Sequence, residues 1–276
     1  MILAPAALAA GTVSVVYAGS LVNLMEHGIG PAFDKASGDQ FQGYPGGSQL
    51  LANQIKGKLR QGDVFISANP AVNKSLMGPA NGGWVSWYVS FAESPLVLGY
   101  NPTSRFAADF KSKPWYQVLT EPGIRIGRTD PKLDPKGALT VALMSKAEAH
   151  YKVPGLAQQV LGAPDNPAQV LPEETLVGRL QSGQLDVGFF YSTETASAKI
   201  QAVQLPAEIA PKAVYTAAIL RGAPNPTDAV GFVGFLLGPQ GKTVMIENGL
   251  DVEKPVLAGA MTAVPPQIRT LVDQSK

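Results

Sequence analysis

The sequence predicts an α/β protein of two lobes with a ligand cleft between them, and three observations predict it. Strand, loop and helix alternate three times between Thr12 and Met77, the pattern of a parallel sheet covered by helices. A second alternating set follows Tyr100. Two extended segments, 94–100 and 212–220, carry the chain from the first set to the second and back, which makes a hinge. The boundaries read as 11–94 with 213–276 for the first lobe and 95–212 for the second. At 276 residues, 45% of them hydrophobic, the chain can supply a sizeable core for either one large domain or two ordinary ones.

The elements follow in order. Thr12–Ala18 (TVSVVYA) is a Val-rich buried strand. Gly19-Ser20 interrupts it, and 21–35 has helical spacing with Ser20 as a candidate N-cap. A second strand at 40–44 runs into Pro45-Gly46-Gly47-Ser48 and a helix over 49–59. The third strand, 63–67, ends at Ala68-Asn69-Pro70 before a helix over 71–77. The three strand-to-helix loops lie at the carboxyl edge of the predicted sheet, where open α/β sheets bind ligands. The second set comprises a short helix at 115–119, a strand at 124–127, the loop RTDPKLDPKG and a helix over 138–151. A helix over 172–180, with Glu173 and Glu174 in its first turn as the dipole favours, leads to the strand DVGFFY at 186–191. Strands at 202–205 and 213–220 follow. The tail reads as helices at 228–237, 240–248 and 266–276, with Gly238-Pro239 parting the first two. The apolar run 230–237 is too short to cross a membrane. At the N-terminus, ILAPAALAA (2–10) ends in the A-x-A pattern of Ala7-Leu8-Ala9 but lacks a basic start. Residues 1–10 are therefore expected to be the tail of a truncated export signal, which sends the protein to the periplasm.

Composition closes several function classes. There is no Cys, which removes disulfides, Cys-based zinc sites and thiol nucleophiles. Only His27 and His150 are present, and neither follows a strand. A multi-His metal site is therefore not expected, and a serine-dependent α/β enzyme using Ser20 or Ser48 lacks a base. A net charge of +1, from 22 basic and 21 acidic residues, gives no case for nucleic acid. The nucleophile elbow, the P-loop, the zincin motif and a strand-borne dinucleotide fingerprint are absent.

What remains is a binding site of hydroxyls and backbone N–H groups. Gly19-Ser20 and Gly47-Ser48 each set a hydroxyl beside a flexible Gly at a helix start, an anion site that needs no Lys or Arg. Ala68 ends a third strand, and Tyr191 ends a strand of the second lobe, where the segments 129–137 and 172–175 open helices. Such donors suit a fully ionised oxyanion, which can only accept. The competing reading is structural, with serines that cap helices and an Asp130/Asp134 pair that builds turns.

The segments YAGSLVNLM (17–25), GGSQLLANQI (46–55), DVFISAN (63–69), WYVSFAESPLVLGY (87–100), PWYQVL (114–119), GRTDPKLDPKG (127–137), DVGFFYS (186–192) and VQLPAEI (203–209) together resemble the periplasmic molybdate/tungstate-binding proteins of ABC importers, most closely their tungstate-binding branch. The run FVGFLLGPQGKTVMIENGL (232–250) is similar to the C-terminal segment of many solute-binding proteins. The resemblance implies a type II periplasmic binding protein whose lobes close on a tetrahedral dianion. It implies no cofactor, a monomer, and delivery to a membrane permease. Sulfate, thiosulfate or another small anion is the alternative cargo. By position, the implied ligand contacts are Ser20 and Ser48 through hydroxyl and N–H, the N–H groups of Ala68, of Lys136 or its neighbour and of Thr175, and the Tyr191 hydroxyl. In the tungstate-binding branch two carboxylates reach the metal centre of the oxyanion. The Asp corresponds to Asp134, but the place of the Glu, in DVGFFY, is held by Phe190. A lone carboxylate facing a dianion is repulsive. Four-coordinate binding is therefore expected, with Asp134 turned toward loop N–H groups; Asp134 is a metal ligand only if it coordinates the centre of the bound oxyanion.

Overall fold

The computed structural model describes residues 11–275, so the export-signal reading of 1–10 lies outside the described residues. The strands are β1 (Thr12–Ala18), β2 (Gln40–Gly46), β3 (Val64–Ser67), β4 (Trp87–Tyr100), β5 (Ile126–Gly127), β6 (Val187–Tyr191), β7 (Gln201–Val203), β8 (Lys212–Ile219) and β9 (Asp251–Gly259). They form one curled sheet of order β2-β1-β3-β8-β4-β6-β5, with β7 and β9 also paired to β4. The three opening units give the parallel pairs β1–β2 and β1–β3. The returning strand β8 runs antiparallel to β3 and to β4.

The two crossings are not separate linkers. β4 is 14 residues long and serves both lobes. Its first half, Trp87 to Glu93, pairs with β9, and its second half, Leu96 to Tyr100, pairs with β6. β8 lies alongside the changeover, with Ala213 opposite Ser94 and Lys212 opposite Pro95. Pro95 has no N–H to give, and it stands where β4 exchanges one partner for another. A register shift between Ser90 and Ala92 bends the same strand. The two crossings thus form a hydrogen-bonded ribbon of two strands.

Local structure corrects the sequence reading in several places. Ser20 is not an N-cap: it lies in a 3-10 turn, Gly19–Leu21, ahead of the helical segment Val22–Leu24. The predicted helix continues through a π turn, Met25–Ile29, before Gly30–Ser37. Pro31 cannot donate to the turn before it, so the ladder widens there. The tail is not purely helical either. DVEKPVLAG forms β9, whose Pro and charged residues suit a partly exposed strand. The short helices Leu156–Leu161 and Ser192–Ser197 also went unread, because six residues carry too little periodicity to register.

Packing follows the alternation of strand side chains. Val13, Val15 and Tyr17 of β1 join the main core, which continues into the second lobe through Leu98, Leu143, Val187 and Phe189. Val16 faces the other way, onto Leu51, Ile55 and Phe65. In the second lobe Phe190 packs with Val97, Leu176, Leu180 and Leu185. The buried carboxylate of Asp63 accepts from the Ser14 amide at 2.8 Å and the Asn225 amide at 2.6 Å, tying β1 to the segment after β8.

Candidate functional site

The residues just beyond β1 and β2 meet the second lobe. The Leu50 amide donates across the cleft to the Leu133 carbonyl at 3.0 Å. Gly47 has no room for a side chain, since a Cβ there would stand 2.8 Å from the Leu133 oxygen. Gly19 is confined by a side chain instead, because a Cβ would fall 1.9 Å from Glu173 Oε2. The two Gly-Ser pairs therefore have glycine where the lobes touch, a reason that the sequence did not give.

Each serine is buried and neither caps a helix by its side chain. Ser48 Oγ accepts the Ala68 N–H at 3.1 Å, which joins two predicted residues but spends the Ala68 donor. The Ser48 hydroxyl proton is still available. Ser20 Oγ lies 2.9 Å from the hydroxyl of Tyr215, a β8 residue that sequence reasoning missed. Only one of those two hydroxyls can donate to the other, so a second proton is left over. Tyr191, at the end of β6, stands edge-on to Tyr215 with ring centroids 6.2 Å apart. Its hydroxyl is buried and has no hydrogen-bond partner. Burial pushes the phenols of both tyrosines well above their ordinary values, so both remain protonated donors.

The loop TDPKLDPKG divides its two acids as the turn reading expects. Asp130 accepts the Lys132 amide at 2.8 Å through its side chain and the Asp134 amide at 2.9 Å through its carbonyl. Asp134 caps the long helix Pro135–Tyr151 and accepts from the Lys136 amide and the Thr129 hydroxyl, each at 2.9 Å. The Gly47-Ser48 backbone of the first lobe lies against this carboxylate. Burial raises the Asp134 carboxyl, against the pull of Lys136 and these hydrogen bonds.

Lys136 departs from expectation. Its N–H is taken by Asp134, so it is not a free donor. Its ammonium is buried and bonds to Glu173 Oε1 at 2.6 Å and to the two oxygens of Glu194 at 2.8 and 2.9 Å. Glu194 in turn accepts the Tyr191 amide at 2.7 Å. Burial pulls the ammonium down, but the charges of Glu173, Glu194 and Asp134 outweigh it and hold Lys136 above its ordinary value. Both glutamates are raised, chiefly by burial. Lys136 therefore brings one cation to the cleft, already paired with two glutamates, and Asp134 is not a lone carboxylate. Phe190 belongs to the apolar packing on the face opposite Tyr191, so the acidic neighbours of Asp134 come from other elements.

Thr175 is also left out. Its amide, at 3.1 Å, and its hydroxyl, at 2.8 Å, both turn to the Pro172 carbonyl of their own turn. The residue of that turn that enters the cleft is Glu173, whose Oε2 is buried without a partner. Acids in a first helical turn read as dipole complements, and only burial distinguishes Glu173 from Glu174. Glu173 borders two adjoining cavities, one of about 240 Å³ with Gly19, Ser20 and Glu194, the other of about 270 Å³ with Gly47, Thr129 and Asp134. A pocket of about 280 Å³ beside Arg60, Trp84 and Arg221 shares no residue with them. His27 and His150 are exposed, and neither Ser20 nor Ser48 has a His beside it. Among the described residues no three of His, Asp and Glu are grouped to hold a metal ion.

Comparison with known proteins bears on the family and the fold. The family model described as bacterial extracellular solute-binding protein matches residues 13–251. A solute-binding protein of Petrotoga mobilis is 30% identical over 74% of this chain and 72% of its own length. The molybdate/tungstate-binding protein WtpA of Thermococcus kodakarensis is 26% identical over 85% of this chain and 78% of its own. Among solved structures, the Azotobacter vinelandii periplasmic molybdate-binding protein superposes with a TM-score of 0.66 at 21% identity, covering 87% of this chain and 99% of that one. The sulfate-binding protein SubI of Mycobacterium tuberculosis gives 0.66 at 15% identity, covering 96% and 92%. At these identities the superpositions speak for the fold, that of periplasmic binding proteins.

Proposed function

Because the chain belongs to the bacterial extracellular solute-binding proteins, which are transport receptors rather than enzymes, we propose that its interlobe cleft captures a tetrahedral oxyanion, molybdate or tungstate, for an ABC importer. The observation that carries this reading is the buried, unpartnered Tyr191 hydroxyl where the lobes meet. Tyr215, edge-on to it, forms with Ser20 a pair that keeps a spare proton, and the Ser48 hydroxyl also has no acceptor among the described residues. A fully ionised oxyanion supplies acceptors only, and Lys136 supplies a cation near it. The names of the WtpA relatives and of a Haloferax volcanii molybdenum-binding transporter protein favour molybdate and tungstate over sulfate. Asp134 Oδ1 is held by Thr129 and Lys136 of its own loop, which supports four-coordinate binding of the anion. Closure through the paired β4–β8 ribbon would then present the loaded protein to its permease.

Melting the protein with molybdate, tungstate, sulfate, thiosulfate and phosphate in turn tests this. A true ligand at a hundredfold over its dissociation constant adds about 2.7 kcal/mol and raises the midpoint. No shift with any of the five anions would sink the reading. Ser48→Ala is expected to weaken binding of the preferred anion by roughly 1–3 kcal/mol in calorimetry, as for a donor to a charged group. An unchanged affinity takes Ser48 out of the site.

A further inference from the structure

We infer that Glu173 holds the anion as a neutral carboxylic acid, so that each anion captured in the cleft is accompanied by one proton on this side chain. The inference rests on the oxyanion reading and specifies the form of the site that binds. Glu173 is 5% exposed, and its two oxygens differ. Oε1 accepts from Lys136 Nζ at 2.6 Å, whereas Oε2 is buried without a partner and abuts Gly19, beside Ser20 and the cavity of about 240 Å³. An ionised Oε2 is an acceptor, and an oxyanion oxygen is an acceptor too, so the two repel. A proton on Oε2 turns the contact into a donated hydrogen bond and removes one negative charge. Without it the cleft sets Asp134, Glu173 and Glu194 against Lys136 alone, and a dianion enters a net negative site.

The charged and titratable groups around Glu173 come from several elements. Lys136 and Asp134 lie at the start of the Pro135–Tyr151 helix, Glu194 in the Ser192–Ser197 helix, Tyr191 on β6, Tyr215 on β8 and Tyr17 on β1. Burial holds the Glu173 carboxyl well above its usual range; Lys136 opposes this, and Glu194 and Asp134 add to it. A carboxylic acid kept neutral in an enclosed site is an effective donor to an oxyanion. The proton comes from solvent, forming the Oε2–H bond, and returns there on release, and no other covalent bond changes.

The test is calorimetric titration of the full chain with sodium molybdate and sodium tungstate between pH 6 and pH 9.5, in buffers of different ionisation heat. The expected result is uptake of up to one proton per anion, with Kd weakening toward tenfold per pH unit once the free protein has lost the Glu173 proton. In Glu173→Gln, which carries a permanent amide donor, the proton uptake and the pH dependence of Kd vanish. A wild-type Kd that is flat with pH, with no buffer-dependent heat, overturns the inference and leaves the oxyanion reading standing. Undiminished uptake in Glu173→Gln overturns it in favour of Glu194 or Asp134. Tighter binding of phosphate than of molybdate without uptake overturns it by putting the proton on the ligand. Failure of molybdate and tungstate to bind at any pH overturns both readings.

Discussion

Lys136→Met lowers the unfolding free energy by about 3–5 kcal/mol in urea denaturation near neutral pH, the cost of leaving buried acids without their cation. Lys136 is 1% exposed, and its ammonium is the shared partner of Glu173 and Glu194. Methionine preserves much of the stem's volume, so the loss is electrostatic rather than a cavity. The pH dependence has a definite sign. Folding raises the Glu173 and Glu194 carboxyls above the ordinary value of 4.5. The stability linked to those protons is fully present below that value and is lost as pH rises through the folded-state titrations. Without the ammonium the acids titrate higher still. The gap between variant and wild type therefore narrows as pH falls toward 4.5 and widens above it. A gap independent of pH would mean that the glutamates are not the groups left unpaired. Adding Glu173→Gln and Glu194→Gln to the variant should recover most of the loss.

Arg128→Ala costs about 3 kcal/mol or more by the same measurement. Arg128 is fully buried, and its guanidinium donates to Gln169 Oε1 at 3.0 Å and to the carbonyls of Pro164, Ala163 and Leu161 at 2.9, 2.8 and 3.3 Å. It thereby holds the segment 161–169, which leads directly to the turn that carries Glu173. Truncation takes a donor from the buried Leu161 carbonyl, at about 1–3 kcal/mol, and empties the space of a fully buried side chain, while the carbonyls of exposed Ala163 and Pro164 turn to water. Lysine cannot rescue the site, because its single ammonium does not reproduce the planar fork. Hydrogen exchange should locate the loosening at residues 169–171, since Arg128 also exchanges backbone bonds with Gln169 and Leu171. A loss under about 1 kcal/mol would show that the segment is held by other contacts.

Much of the fold was legible because it depends on local signals. Short strands bounded by Gly and Pro, and helices opening after them, place β1, β2, β3 and the loops beyond them within a few residues. The serines and Tyr191 were legible for the same reason, since a polar residue at the carboxyl end of a strand already lies at the sheet edge. Tyr215 was not, because it lies within β8 and reads as an ordinary core residue until Ser20 is brought to it. β9 was hidden by its Pro and charges, which are read as loop until β4 offers it a partner.

The sequence by itself determined the alternation, the hinge crossings, the absence of thiol and multi-His chemistry, and a resemblance that named a class of ligand. Asp134 and Asp130 were also within its reach, because capping and turn formation involve only neighbours along the chain. Only the tertiary structure decided what Lys136, Glu173 and Glu194 do. They are 37 and 58 residues from Lys136 in sequence, yet they meet in one buried ion cluster. The sign and strength of a charge interaction depend on distance in space and on exclusion of water, and neither is written in sequence spacing. A glutamate in a first helical turn is a solvated dipole complement on one surface and, once a second lobe closes over it, an acid that holds its proton.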